Sequence, residues 1–146
     1  SQSRGLGDVY KRQILKYVFF QFLGALLSVA SVHYYFGQQI IQISTNNRGG
    51  TEMIFSEVIA TFGLIITILF VRKYNPKDVA SAVALFITAG YWFTSSTSFA
   101  NPAVTVARIF TDTFTGISPA SVFNFIIGQL IGSFVALIFY NKIEKN

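Results

Sequence analysis

Four apolar stretches, separated by short polar segments, take up most of this 146-residue chain. They cover residues 14–36, 53–71, 79–93 and 118–140, and the third is the shortest. A helix needs about 20 apolar residues to cross the hydrocarbon core of a bilayer, and each stretch reaches or approaches that length. Because open sheet edges cannot face lipid, the stretches predict an all-α membrane protein in which the spans form one helical bundle.

The charge content supports the same interpretation. Only 12% of the residues are charged, whereas soluble domains contain about 25%. The formal net charge of +5 comes from Lys and Arg residues scattered at the ends of the apolar stretches, where topology rules place them. Because these positive charges do not cluster, we expect no nucleic-acid partner. We expect membrane lipid to surround the apolar stretches.

Residues 1–13 differ from the rest of the chain because they contain no apolar core. They resemble translated read-through from sequencing or assembly, and we expect this segment to be a non-native artefact. Residues 14–146 are then expected to form a partial transmembrane domain.

A short helix is predicted between the third and fourth stretches. Asn101 is a good helix cap, and Pro102 and Ala103 suit the first helical positions. With Gly116 as the stop signal, the helix covers residues 102–115 and reaches about 21 Å, less than the hydrocarbon core of about 30 Å. Such a half-helix leaves backbone N–H groups unpaired inside the bilayer, which is tolerable where they line an aqueous cavity. The segment predicts a pore or substrate site at which the Asn101 amide orients the permeant.

The Lys and Arg residues divide unevenly between the two sides of the membrane. One side holds Lys16, Arg72, Lys73, Lys77, Lys142 and Lys145, and the other holds Arg48 and Arg108. By the positive-inside rule, the C-terminus of a multi-pass protein in the cell (inner) membrane is cytoplasmic, and the half-helix enters from the outer side.

Two similar motifs lie at opposite ends of the chain. Gln21 and Gly24 in the first stretch match Gln129 and Gly132 in the last, and Gly128 lies four residues before Gly132. Small residues at such spacing allow helices to pack closely, as they would in any tight bundle. Their recurrence favours an architecture of inverted repeats.

Taken in order, these features resemble the aquaporin, or major intrinsic protein, family. The resemblance runs from residue 14 to about residue 140 and rests on the two Gln-x-x-Gly motifs, Glu57 inside an apolar span, and Asn101-Pro102-Ala103. The family has six spans and two opposed half-helices. The resemblance therefore implies the C-terminal portion of a truncated prokaryotic member, with spans three to six and one re-entrant half-helix. It also implies a homotetramer in the full-length form and a passive channel for water or small uncharged solutes such as glycerol or arsenite.

Glu57 is a carboxylate inside an apolar stretch, where a charge is costly. The resemblance implies that it accepts hydrogen bonds from the irregular backbone before Asn101 and supports that loop. The alternative is an interfacial residue near the outer end of the helix, beside Glu52.

The residue after the Asn-Pro-Ala motif departs from the family pattern. Members usually carry Arg there, where it narrows the pore, but this chain has Val104. The nearest cation is Arg108, one helical turn outward. It either faces the pore as part of the constriction or pairs with Asp112 at i+4.

A second departure lies twelve residues before Asn101. Water-selective members carry His there, whereas this chain has Ala89 followed by Gly90. With Ser98 completing the lining, these small residues imply a wider mouth than that of a strict water filter.

Other interpretations stay open at this level. The run at 101–105 is also typical of the family's first half-helix, a register that would place the basic loop at 72–77 outside. An ion-coupled transporter also uses broken helices, and an isolated chain of this length would lack function if half of the pore wall were absent. The chain shows no catalytic set, metal-spaced cluster or phosphate loop, so we expect no enzymatic activity, no metal and no cofactor. His33 is expected to be an ordinary interfacial residue.

Overall fold

A computed structural model describes residues 2–145, with side-chain surroundings from residue 10 onward, and every regular element in that range is helical. The α-helices are α1 (Gln2–Tyr35), α2 (Thr51–Tyr74), α3 (Val79–Phe93), α4 (Pro102–Ala107) and α5 (Val122–Glu144). Single 3-10 turns cover Pro76–Asp78, Arg108–Phe110 and Pro119–Ser121. Residue 1 of the segment expected to be non-native lies outside the described residues, and residues 2–13 belong to α1.

Three of these helical segments are long and apolar enough to cross a membrane. They are Tyr10–Tyr35, Thr51–Tyr74 and Pro119–Glu144. The expected third span is α3, which has 15 residues and at 1.5 Å per residue reaches only about 22 Å. The described chain is therefore a helical membrane protein with three candidate spans, and a fourth span at α3 stays a prediction.

The three prolines, Pro76, Pro102 and Pro119, each begin a helical segment, and the start at Pro102 confirms the one predicted from the sequence. Of the residues that precede them, only Asn101 caps its helix with the side chain, since Asn101 Oδ1 accepts a hydrogen bond from Ala103 N at 2.8 Å. Asn75 and Ser118 form no side-chain cap. The best-defined helix start is therefore the one at the candidate site.

The half-helix is shorter than the predicted segment 102–115. α4 has six residues and is followed by one three-residue 3-10 turn. The helix does not continue, because the carbonyl groups directly after it accept hydrogen bonds from distant parts of the chain. Ser44 N donates to Ile109 O at 2.8 Å, and Ile117 N donates to Arg108 O at 3.2 Å. The predicted C-terminus of this helix was therefore wrong.

The loop between α1 and α2 is attached to the segment after the C-terminal end of α4 through a buried histidine. His33 is 2% exposed, with Nδ1 2.9 Å from Ile40 O and Nε2 2.9 Å from Thr111 Oγ1. A carbonyl only accepts, so Nδ1 carries a proton in this arrangement. The expectation of an ordinary interfacial histidine was wrong, because the loop folds back over the ring.

Helices α2 and α5 approach each other at two glycines. A Cβ atom added to Gly128 would lie 2.5 Å from Ile54 O, and one added to Gly132 would lie 2.6 Å from Val58 O. These positions hold the close helix contact that small residues permit. Gly24 differs, because no atom lies within 4 Å of a Cβ built there. Since α1 packs mainly on α4, the close contact expected at Gly24 is not found among the described residues.

We expect Gly132→Ala to destabilise the chain by about 1–3 kcal/mol, because the new methyl group forces α5 away from the α2 backbone. The measurement is the melting temperature of the 146-residue chain in detergent micelles. Gly24→Ala is the matched control and should leave the melting temperature unchanged or slightly raised, since Ala favours a helix over Gly. Equal melting temperatures for both variants would contradict the close packing.

Candidate functional site

The backbone that leads into Asn101 is strained. Thr97, Ser98 and Ala100 have φ angles of 60°, 51° and 47°, in the left-handed region. This region costs about 1–2 kcal/mol for a residue with a Cβ. Such a conformation persists only where the surrounding structure holds it, so the contacts of this loop decide whether the site exists.

Glu57 provides the first of these contacts. Its side chain is 0% exposed, with Oε1 accepting from Phe99 N at 3.0 Å and Oε2 accepting from Ala100 N at 2.9 Å. A buried carboxylate is costly unless N–H donors surround it, and charge-assisted hydrogen bonds of this kind are strong. The carboxylate thus lies in the protein interior beneath the loop, rather than at the interface beside Glu52.

Gln129 links the carboxylate to the half-helix. Its Nε2 donates to Glu57 Oε2 and to Thr105 Oγ1, both at 2.7 Å, and Thr105 Oγ1 donates to Asn101 O at 3.0 Å. The sequence patterns indicated only helix packing for Gln129 and nothing for Thr105. The available signal was the cost of a buried amide in an apolar helix, which requires a polar partner nearby.

A pair of serines adds a second anchor, in which Ser56 of α2 holds Ser96 of the loop. Ser96 N donates to Ser56 Oγ at 3.0 Å, and the two hydroxyl groups also lie 3.0 Å apart. Ser56 precedes Glu57 directly, so neighbouring residues of one helix hold both halves of the loop. Nothing in the sequence patterns distinguished these serines from others near the motif.

Asn101 divides its amide between the protein and the open side of the site. Oδ1 accepts a hydrogen bond from Ala103 N and so caps α4. Nδ2 faces α1, where Gln21 Oε1 lies 3.5 Å away, at the limit of a hydrogen bond. The amide thus keeps an N–H group that can donate to an oxygen acceptor.

The five predicted constriction residues fall into separate places. Gly90 and Ser98 are buried together, since a Cβ on Gly90 would lie 2.6 Å from Ser98 Oγ. The Ser98 hydroxyl has no hydrogen-bond partner there. Ala89 is exposed on α3. Val104 and Arg108 line a cleft of about 420 Å³ between α1 and α4. The described residues thus do not bring all five side chains around one opening.

Arg108 lies near the C-terminal end of α3. Its Nη1 donates to Thr115 Oγ1 at 2.6 Å, and its Nη2 lies 3.5 Å from the Tyr91 hydroxyl. Asp112 instead accepts from Thr45 N at 2.9 Å. The alternative in which Arg108 pairs with Asp112 was wrong, because α4 ends at Ala107 and the 3-10 turn after it ends at Phe110, so no helical i+4 geometry reaches Asp112.

Arg48, in the loop between α1 and α2, is a site residue that the sequence patterns do not reveal. Its Nη2 donates to Ser95 O at 2.8 Å, and its Cζ lies 5.7 Å from the centre of the Phe99 ring. Partial burial lowers the pKa of Arg48; the Glu57 carboxylate opposes this shift and the positive charge of Arg108 adds to it. Arg48 therefore joins the loop of α1–α2 to the segment that precedes Asn101.

The described residues contain no group of three His, Asp or Glu side chains arranged to hold a metal ion. What this part of the chain offers is an amide donor, hydroxyl groups and two guanidinium groups around an irregular loop. Such groups bind and orient a solute by hydrogen bonding and charge.

Comparison with known proteins places this arrangement in a family. The chain is 43% identical over 131 residues to Aquaglyceroporin AqpS from Rhizobium meliloti (strain 1021), a match that covers 90% of this chain and 56% of the relative. The chain therefore spans about half the length of the curated relative it matches. No family model matches the chain, and no solved structure matches it. The extent and level of this identity establish that the chain belongs to the aquaporin, or major intrinsic protein, family.

Proposed function

We propose that the complete protein is a passive channel for water and small uncharged solutes of about the size of glycerol. The observation that carries this proposal is the Asn101 amide: Oδ1 accepts from Ala103 N, while Nδ2 makes one contact of 3.5 Å with Gln21 Oε1 and keeps a second N–H as a donor. A donor without charge orients a solute oxygen without binding it tightly, which suits conduction. The relative that supports the same class of function is named an aquaglyceroporin.

The contacts of Glu57 favour a channel over an ion-coupled transporter. Both carboxylate oxygens accept hydrogen bonds from N–H groups, two from the backbone and one from Gln129. Ion coupling needs intramembrane groups that take up and release a cation. A carboxylate already committed to three donors supports a structural role, in which Glu57 holds the loop that presents Asn101.

The proposed membrane arrangement has four spans, α1, α2, α3 and α5, with α4 as a re-entrant half-helix in the second repeat. It places the C-terminus in the cytoplasm of a cell-membrane protein that forms a homotetramer in its complete form. The six-to-two division of Lys and Arg residues supports this orientation. Gly128 and Gly132, which bring α5 against α2, support the packing of the bundle.

The proposed opening is wider than a strict water filter. Val104, on the cleft beside α1, is shorter than the arginine that usually follows this motif. Pore diameter and lining donors set the selectivity of such channels. We therefore place glycerol and arsenous acid, alongside water, among the permeants.

Proteoliposomes of the complete protein should swell or shrink faster than empty liposomes after osmotic shock with water, glycerol or arsenous acid gradients. The expected rate of volume change is several-fold above that of empty liposomes, because the channel supplies hydrogen-bond donors that replace the water around the solute. Stopped-flow light scattering measures it. Rates equal to those of empty liposomes for every solute would overturn the channel proposal.

Glu57→Gln should destabilise the protein by about 1–3 kcal/mol, because the amide NH₂ cannot accept and one buried backbone N–H loses its partner. Melting temperature and glycerol permeability should both fall. Glu52→Gln is the matched control, since Glu52 is an exposed acid on the first turn of the same helix. If the two variants behave alike, Glu57 does not hold the loop.

Val104→Arg should lower the ratio of glycerol to water permeability by about tenfold, because a long side chain in the cleft narrows the route for the larger solute. Val104→Ile is the control and should leave the ratio near that of the wild type. The two permeabilities are measured on the same proteoliposome preparations. An unchanged ratio in the arginine variant would mean that Val104 lies away from the route.

A further inference from the structure

Two arginines from different loops lie beside the same ring. Arg48 Cζ and Arg108 Cζ are each 5.7 Å from the centre of the Phe99 ring. The two charges are therefore separated by no more than about twice that distance. Phe99 is buried two residues before Asn101. The pair thus lies beside the segment that leads to the half-helix.

Neither guanidinium group has an acidic partner within the described part of the chain. The one ion pair found there joins Lys73 and Glu144, far along the chain from this loop. The hydrogen-bond acceptors of Arg48 are Ser95 O and Thr97 Oγ1, and those of Arg108 are Thr115 Oγ1 and the Tyr91 hydroxyl. All of these acceptors are neutral. The pair therefore carries two positive charges with no acid paired directly to either guanidinium group, and the Glu57 carboxylate acts on Arg48 only from a distance.

The nearest acids are held by other groups. Asp112 accepts from the Thr45 backbone and hydroxyl at 2.9 and 3.2 Å. Glu57 is fully buried and accepts from three N–H groups. A carboxylate in such contacts does not move to neutralise an arginine without losing them. The two guanidinium charges are thus held in place by the fold, with neither paired to an acid among the described residues.

Arg48 is held in place from several directions. Its backbone N donates to Ser121 Oγ at 3.0 Å, and its Cζ lies 5.8 Å from the Phe125 ring as well as beside Phe99. A planar guanidinium group can stack on rings and donate to a carbonyl at the same time, which an ammonium group cannot do. Partial burial also reduces the screening of this charge by salt.

We infer that Arg48, together with Arg108, is a specificity-determining residue that repels cations at the outer entrance while uncharged solutes pass. This inference rests on the proposed channel function. A fixed positive charge beside a route raises the barrier for cations and leaves neutral solutes largely unaffected. The loop arginine thereby supplies a charge that Val104, on the half-helix, does not carry.

The test compares cation and glycerol permeability in proteoliposomes of the complete protein. In Arg48→Gln, the ratio of sodium to glycerol permeability should rise by about tenfold, which corresponds to about 1.4 kcal/mol. Arg72→Gln removes the same charge from an exposed position near the other end of α2 and should leave the ratio unchanged. A ratio that stays at the wild-type value in Arg48→Gln would falsify the inference.

Arg48→Lys separates charge from shape. It keeps the positive charge but loses the stacked, forked contacts, so cation exclusion should stay close to that of the wild type. A lysine variant as leaky as the glutamine variant would assign the effect to packing and overturn the inference. If Arg48→Gln does not fold, as judged by its melting temperature, Arg108→Gln takes its place and must raise the same ratio.

Failure of the channel proposal gives a different result. In that case the wild-type protein would conduct neither glycerol nor water above the lipid background. A wild type that conducts glycerol and sodium equally well would instead contradict only the charge barrier. The two proposals are thus distinguished in the wild type before any variant is compared.

Discussion

The buried carboxylate of Glu57 is the group on which the arrangement around Asn101 depends. It takes N–H hydrogen bonds from Phe99, Ala100 and Gln129, at distances between 2.7 and 3.0 Å. The left-handed backbone before Asn101 is unfavourable in isolation, and a desolvated carboxylate without donors is more so. The hydrogen bonds between them offset both unfavourable free energies, because the loop conformation turns two backbone N–H groups toward the carboxylate. Neither the loop nor the acid would be stable without its partner.

The hydrogen bond between Gln129 and Glu57 requires α5 to lie very close to α2, and two glycines permit that close approach. Gly128 precedes Gln129 directly, and a Cβ at Gly128 would lie 2.8 Å from Glu57 Cβ. The short hydrogen bond between Gln129 and Glu57 thus follows from the same approach of the two backbones. The packing of small residues and the polar network therefore depend on each other. A wider separation of α2 and α5 would also lengthen the hydrogen bond from Gln129 to Glu57 that supports the loop.

Helix starts were predictable from the sequence, whereas helix ends and cross-chain partners were not. Pro102 begins α4 because capping depends on adjacent residues. The same helix ends at Ala107 because distant backbone groups, among them Ser44 N, take up the carbonyls after it. Glu57 drew attention because a charge in an apolar stretch needs a partner. Arg48 drew no attention, because an arginine in a polar loop does not lie in an apolar stretch and so does not call for a buried partner.

The position of the positive charges bears on how size and charge selection are combined. An arginine on the half-helix would narrow the opening and repel cations with a single side chain. In the arrangement we propose, Val104 leaves the opening wide, while Arg48 and Arg108 hold the charge beside Phe99. Because a Coulomb barrier acts over several ångströms and steric exclusion only at contact, the charge need not lie in the narrowest part. Separating the two functions allows a larger neutral solute to pass while the barrier to cations is kept.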